Sequence, residues 1–227
     1  MKKQWILFIA IVLSIAFACT PKAVETTPSI IEIVGNGEVF TEELEEFCRS
    51  NKVEASVYQW NNHVVLYGTF SDLSNTQKQI AATYPDATVK IYEKPFYVFD
   101  RKNCENKTTV EHWSHTLMTA NLVADTTMQQ EYMHYHATQP EEFPEVATGF
   151  CNANFQQVLV FRNGRQLMLV ISIPEGENLD ELNPKTTENN PRVDDWNAIM
   201  ANYQEGIEGT TPEETWVVLT PNYPPTP

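Results

Sequence analysis

The chain reads as an α+β fold in which one βαββαβ unit occurs twice. Three observations carry this reading. Short apolar stretches of strand length alternate with amphipathic segments. Two strand–turn–strand hairpins stand at corresponding places in the two halves. And the chain matches itself when slid by 103 residues: Glu42, Phe47, Cys48, Asn51, Val57 and Leu66 fall on Glu145, Phe150, Cys151, Asn154, Val160 and Leu169 without a gap. Conservative pairs lie between these identities, Tyr58 with Phe161, Val64 with Leu167 and Val65 with Met168.

In the first half, 30–34 is a short β-branched strand. Thr41 is a good helix cap, and Glu42 and Glu43 behind it favour the positive end of the helix dipole, so a helix is expected to about residue 49. Strands at 55–60 and 64–70 meet at the turn residues Asn61 and Asn62. Ser71 caps a second helix that stops before Pro85, and 87–92 is the last strand. This order is that of a ferredoxin-like unit.

The second half repeats it. A strand over 113–123 leads to a helix capped by Asp125 or Thr126 and running through His136, with a second helical piece beyond Pro140 from about 142 to 150. Strands at 158–162 and 165–173 flank Asn163 and Gly164, a strong two-residue hairpin signal. Pro191 opens a helix with Trp196, Met200 and Tyr203 on one face, and 215–219 is the closing strand. Residues 176–190 are polar and without periodicity, a loop long enough to cover a site. The expected organisation is an N-terminal repeat over 29–99, a polar linker at 100–110, a C-terminal domain over 111–221 and a proline-rich tail at 222–227. Two such units pack as two subunits do in dimeric α/β barrels, so the chain is expected to be an intramolecular pseudo-dimer.

The N-terminus is a targeting segment. Lys2 and Lys3 precede an apolar run over 5–17 broken only by Ser14. That is shorter than the ~20 residues a membrane-spanning helix needs, and it fits a secretory signal over 1–18. Ala16, Phe17 and Ala18 form a signal-peptidase pattern. Ala18 followed by Cys19 resembles a bacterial lipobox, which implies lipidation at Cys19, a tether at 20–28 and a lipoprotein of the cell envelope facing the periplasm. The anchor is then the only expected membrane contact. A net charge of −15 opposes nucleic-acid phosphates and suits a neutral small-molecule partner such as a sugar. Setting Cys19 aside leaves Cys48, Cys104 and Cys151, with no C-x-x-C pair and no zinc-ligand spacing. Buried free thiols at Cys48 and Cys151 are the expected state, and a Cys48 to Cys151 disulfide is the alternative. His112 and His115 have no third ligand nearby, so no metal is expected. Neither a G-x-S-x-G elbow nor a Gly-rich phosphate loop occurs, which leaves hydrolase and nucleotide readings without support.

The chemistry concentrates between residues 131 and 145. Tyr132 and His136 are four apart and share one helix face. Imidazole titrates near pH 6.5, so this pair can move protons at neutral pH. Phe143, Pro144 and Glu145 follow, then the hairpin, then the helix with Trp196. This series, over about 113–221, resembles the L-rhamnose mutarotase family: its Y-x-x-x-H at Tyr132 and His136, its aromatic-Pro-Glu at 143–145, its Trp-rich helix at Trp196 and Met200, and its Pro-ending tail after Trp216. The first repeat has no such Tyr/His pair. The resemblance implies an isomerase that opens a pyranose ring and closes it with the anomeric carbon inverted, using neither metal nor cofactor. His136 is then the principal acid/base, Tyr132 its partner acid or a positioning group, and Trp196 and Phe143 substrate-binding residues. Trp60, Trp113 and Trp216 read as core or interface. Two other readings stand beside it: a sugar-binding accessory lipoprotein on the same scaffold, and a cofactor-independent oxidation, which calls for a deep apolar pocket where mutarotation calls for a shallow polar one. Tyr132 and His136 facing an open cleft with free ring nitrogens would go with catalysis; a His136 buried and bonded to backbone would count against it.

Overall fold

Strand-forming residues in the first half pair into β1 (Ser29–Val34), β2 (Glu54–Trp60), β3 (His63–Thr69) and β4 (Thr88–Tyr92), all antiparallel, in the order β4-β1-β3-β2. Helices α1 (Thr41–Ser50) and α2 (Leu73–Thr83) make the crossovers. After β5 (Tyr97–Asp100), the second half builds the same arrangement from β6 (Trp113–Leu122), β7 (Gln157–Asn163) and β8 (Gln166–Pro174), with α3 (Thr126–Glu142), α4 (Pro144–Asn152), α5 (Leu179–Leu182) and α6 (Pro191–Ala201) as crossovers. It ends in β9 (Gln204–Glu205) and β10 (Val217–Pro221), and its strand order is β10-β6-β8-β7-β5. These are two ferredoxin-like units. The computed structural model describes residues 27–35 and 41–222, so the expected signal segment, Cys19, most of the expected tether and all of the tail beyond residue 222 lie outside the described residues.

The 103-residue offset carries β2 onto β7 and α1 onto α4. It also preserves cross-strand pairing: Val57 opposes Leu66 as Val160 opposes Leu169, and Tyr58 opposes Val65 as Phe161 opposes Met168. The alternation of a strand then assigns the two faces. In the first unit Ile31, Ile33, Val57 and Leu66 pack under Leu44, Cys48 and Ile80 of the helices. On the other face Ile30, Tyr58 and Val65 meet Leu117, Leu159, Phe161, Met168 and Leu219 in one core shared by both units. Burial on both faces explains why these strands read as continuous apolar runs.

β10 joins the units. Its Val217 to Leu219 pair with β6, while Thr220 and Pro221 pair with Gln59 and Tyr58 of β2, so the ten strands form one sheet. At the far side, Asn163 Nδ2 donates to Ile91 O (2.9 Å) and Lys90 Nζ to Gln166 Oε1 (2.6 Å), which draws β4 against the β7–β8 hairpin. Beneath lies Glu32, fully buried. Its carboxylate meets His63 Nδ1 (2.6 Å) and accepts from Tyr92 Oη (2.8 Å) and Gln166 Nε2 (2.8 Å), with Lys90 Nζ at 3.3 Å. Burial alone would raise its pKa, but His63, Lys90 and Tyr92 outweigh that and hold it below the ordinary carboxylate value.

Several local details differ from expectation. Asn163 pairs with Gln166, so the two-residue turn is Gly164–Arg165, with Gly164 supplying the positive φ of +60°. Asp72, not Ser71, caps α2, accepting from Asn75 N at 2.9 Å. α3 runs through Pro140 to Glu142 and stops at Phe143, which precedes Pro144 and so is pushed out of the helical region. The expected loop over 176–190 folds into α5 and a 3-10 turn at Asn183–Thr186. The turn docks so tightly on α4 that a Cβ on Gly149 would lie 2.4 Å from the Thr186 carbonyl oxygen. The expectation for Cys151 is corrected, since it is bonded to Cys104, whereas Cys48 is the buried free thiol that was expected. The alternative, a Cys48 to Cys151 disulfide, is not formed either: the two sit on equivalent helices of different units, each under its own unit's strands.

Candidate functional site

α3 starts where the Asp125 side chain accepts from Thr127 N (2.8 Å) and Met128 N (3.1 Å). From there the helical period places Tyr132, His136 and Gln139 on the buried face, over the helix-facing side of the second unit's strands. Between them lies a half-open pocket of about 350 Å³. Val158, Val160, Leu169 and Ile171 of β7 and β8 supply an apolar floor, with Val146, Phe150 and Phe155. Tyr132, His136, Asn183, Asn197, Gln204 and Trp216 bring polar atoms to it. The pocket thus has both characters that were set against each other, apolar walls and converging polar groups.

Tyr132, His136 and Trp196 are brought together in this pocket, their elements converging from either end of the second unit. The His136 ring stands 4.3 Å from that of Tyr132 and 5.2 Å from that of Trp196, centroid to centroid, with Phe96 and Tyr97 closing two further sides. His136 is 9% exposed. Its Nδ1 lies 3.0 Å from the carbonyl oxygen of Tyr132, one helical turn back. A carbonyl only accepts, so Nδ1 carries the proton and Nε2 presents a lone pair in the neutral ring. Nε2 has no partner among the described residues and is not sealed from solvent. The arrangement is therefore mixed: one nitrogen tied to backbone, the other open. Desolvation by the surrounding rings pushes the imidazole down to about 4, although the backbone hydrogen bond partly opposes this. At neutral pH His136 is an uncharged, weak base.

Tyr132 is 2% exposed, and burial raises its phenol above the usual value. Its hydroxyl oxygen accepts from Gln204 Nε2 at 3.2 Å, and Gln204 Oε1 accepts from Trp216 Nε1 at 3.0 Å. Trp216 packs against the core of the second unit, as expected, and also lines the pocket; Trp60 packs against the shared core. Gln204, Asn197, Asn183 and Tyr97 carry no motif and were missed. No sequence pattern marks a glutamine on a two-residue strand, and only its pairing beside Leu122 places it here.

Phe143, expected at the substrate, is not among the pocket-lining residues. It lies behind Trp196, with ring centroids 5.3 Å apart, and the Arg192 guanidinium sits 4.2 Å from its centroid. The helix break sets this position: Gln139 Nε2 donates to Phe143 O (2.6 Å) while Gln139 Oε1 accepts from Tyr97 Oη (2.8 Å). Phe143 thus supports the Trp196 platform from behind. Among the described residues no cluster of three or more His, Cys, Asp or Glu side chains is arranged to hold a metal ion.

Comparison with known proteins agrees with the second half of this description. Residues 115–223 match the family model described as L-rhamnose mutarotase. An L-fucose mutarotase of Xanthomonas campestris pv. campestris is 27% identical over 93 residues, covering 40% of this chain and 72% of that protein. Among solved structures, a monooxygenase-like protein from Listeria innocua superposes with a TM-score of 0.43 at 12% identity, over 88% of this chain and 96% of its own. A heme-degrading enzyme from Listeria monocytogenes gives 0.42 at 9% identity, over 87% of this chain and 100% of its own. The C-terminal half therefore resembles the L-rhamnose mutarotase family, whose activity is sugar anomer interconversion.

Proposed function

We propose that this chain, whose second half resembles the L-rhamnose mutarotases, is an exported isomerase of the racemase and epimerase class that interconverts the α and β anomers of an aldose such as L-rhamnose. The observation that carries the reading is a pocket lined by Tyr132, His136 and Trp196 together, with His136 Nε2 left open to it. A neutral imidazole takes the proton of the anomeric hydroxyl while a second group gives one to the ring oxygen. The C1–O5 bond breaks, the open-chain aldehyde turns, and O5 attacks the other face of C1 as both protons return. Acid/base catalysis of this kind supplies about 10²- to 10⁴-fold. Trp196 offers a flat face to the sugar's C–H surface, and the apolar floor suits the methyl group of a deoxy sugar. The similarity to an L-fucose mutarotase makes L-fucose the second sugar to try.

In this proposal the first unit, which carries no Tyr/His pair at the matching positions, stands where a partner subunit would, making the chain a pseudo-dimer. Export with lipidation at Cys19, toward the periplasm, is part of the same proposal. The Cys104–Cys151 disulfide supports it, since such bonds persist in oxidising compartments. A second reading, a sugar-binding accessory lipoprotein, is favoured by one observation: an imidazole pushed down to about 4 is a weak base. Saturation-transfer NMR on L-rhamnose and L-fucose separates the two. Anomer exchange above the buffer rate that is lost in His136→Ala supports the mutarotase. Sugar binding with exchange at the buffer rate for both proteins supports the accessory role.

A further inference from the structure

The Tyr132 hydroxyl has one oxygen and one proton to place, and the surrounding hydrogen bonds decide which is used. Trp216 Nε1–H is a donor only, so the Gln204 atom it meets at 3.0 Å must be the amide oxygen. The amide orientation of Gln204 follows without choice, and its NH₂ faces Tyr132 Oη at 3.2 Å. The phenol oxygen is thereby the acceptor. Its own proton has no acceptor among the described residues, and Tyr132 lines the pocket with its ring beside that of His136. His136 is set the opposite way. Its Nδ1–H is spent on the Tyr132 carbonyl, and its lone pair is open. The two side chains thus present one donor and one acceptor to the same space.

We propose that Gln204 and Trp216 are positioning residues that commit Tyr132 to be the proton donor, so that Tyr132 protonates the ring oxygen while His136 takes the anomeric proton. The assignment rests on the mutarotase reading for its chemistry but not for its geometry. On ring opening the Tyr132 proton moves to O5, and the Gln204 N–H stabilises the phenolate formed. On closure O5 returns the proton. The backbone supports this: β9, which carries Gln204, is held on β6 at Leu122, and the Val123 N–H donates to Tyr203 O at 2.9 Å.

The test is Gln204→Glu, which keeps shape but reverses the chain. A carboxylate still accepts from Trp216 and also captures the Tyr132 proton, leaving the pocket without its acid. Anomer exchange by the full chain should fall at neutral pH by about 10²-fold, the contribution of one acid group, with KM little changed. It should recover as pH falls and the new carboxyl protonates, since its neutral form can again donate to Tyr132. A merely structural defect would not recover in that direction. Trp216→Phe, which frees the amide to rotate, should lower exchange less and without this pH reversal. In parallel, the carbon-13 resonance of Tyr132 Cζ reports the hydrogen bond without any catalysis. It should move toward the phenolate position in Gln204→Glu and less far in Trp216→Phe. Unchanged exchange in Gln204→Glu at neutral pH, or an unmoved Cζ resonance, overturns the proposal. Absence of exchange in the wild-type protein would overturn the mutarotase reading instead, and the Cζ resonance would still decide the hydrogen-bond chain.

Discussion

At the scale of single residues, the site is made by what each polar atom is prevented from doing. His136 is open only at Nε2 because the helix takes Nδ1, and it stays neutral because four rings exclude water from it. The sign of its effect on stability follows. Its folded pKa of about 4 lies below the ordinary value near 6.5, so the unfolded chain binds more protons between the two. The stability held above about pH 6.5 is lost as pH falls toward 4, by about 3 kcal/mol in all. The difference in unfolding free energy between wild type and His136→Gln, measured by urea titration across that range, should therefore change in favour of the variant as pH falls. Anomer exchange should be flat above pH 5 and fall as His136 takes a proton near 4. Tyr132→Phe should retain the fold, seen by circular dichroism, and lower exchange about 10²-fold. An exchange rate equal to that of the wild type would remove Tyr132 from the acid role.

Elements matter here through two clamps that hold the helical layer over the second unit's strands. The first is the Cys104–Cys151 disulfide, which ties the start of the segment after β5 to α4, with Arg101 Nη1 donating to Cys151 O at 3.2 Å beside it. Replacing both cysteines by serine should cost about 2–4 kcal/mol in chemical denaturation, chiefly by freeing the unfolded chain. The second is the packing of the 3-10 turn at Asn183–Thr186 against Gly149. Gly149→Ala puts a methyl group where the Thr186 carbonyl sits, so the turn must move and Asn183 with it. The expected outcome is a lowered Tm together with weaker sugar binding by titration calorimetry. A loss of stability with unaltered binding would show that Asn183 is not part of the sugar site.

Across the whole molecule, the two units are held by a shared apolar core, by β10 and by one buried charge. Glu32 of β1 is bonded to His63 of β3, Tyr92 of β4 and Gln166 of β8, so a single carboxylate gathers strands from both units. Removing one member of a buried charged group leaves the others unpaired, which costs about 3–5 kcal/mol. Glu32→Ala should show that loss in urea unfolding. Because the folded pKa of Glu32 is depressed, its stabilisation is present above the unfolded value near 4.5 and is lost as pH falls below it. A Glu32→Ala protein as stable as the wild type at pH 7 would mean that the apolar core alone joins the halves.

Much of this architecture is written in local pattern. Short apolar runs of strand length mark the strands, and the 103-residue offset marks the repeat because Val57, Tyr58, Val65 and Leu66 must fill the same two faces as Val160, Phe161, Met168 and Leu169. The spacing of Tyr132 and His136 puts them on one helix face wherever that helix lies. Tertiary structure alone decided the rest, because it depends on contacts between residues far apart in the chain. Cys151 chose Cys104 over Cys48 because α1 and α4 belong to different units. Phe143 went behind Trp196 because Gln139 fixes the helix break. Gln204 reached Tyr132, 72 residues away, through a two-residue strand that no periodicity announces. Spacing names the residues that share a helix face, but the direction of each hydrogen bond, and so which group gives a proton and which takes one, is set by neighbours that only folding supplies.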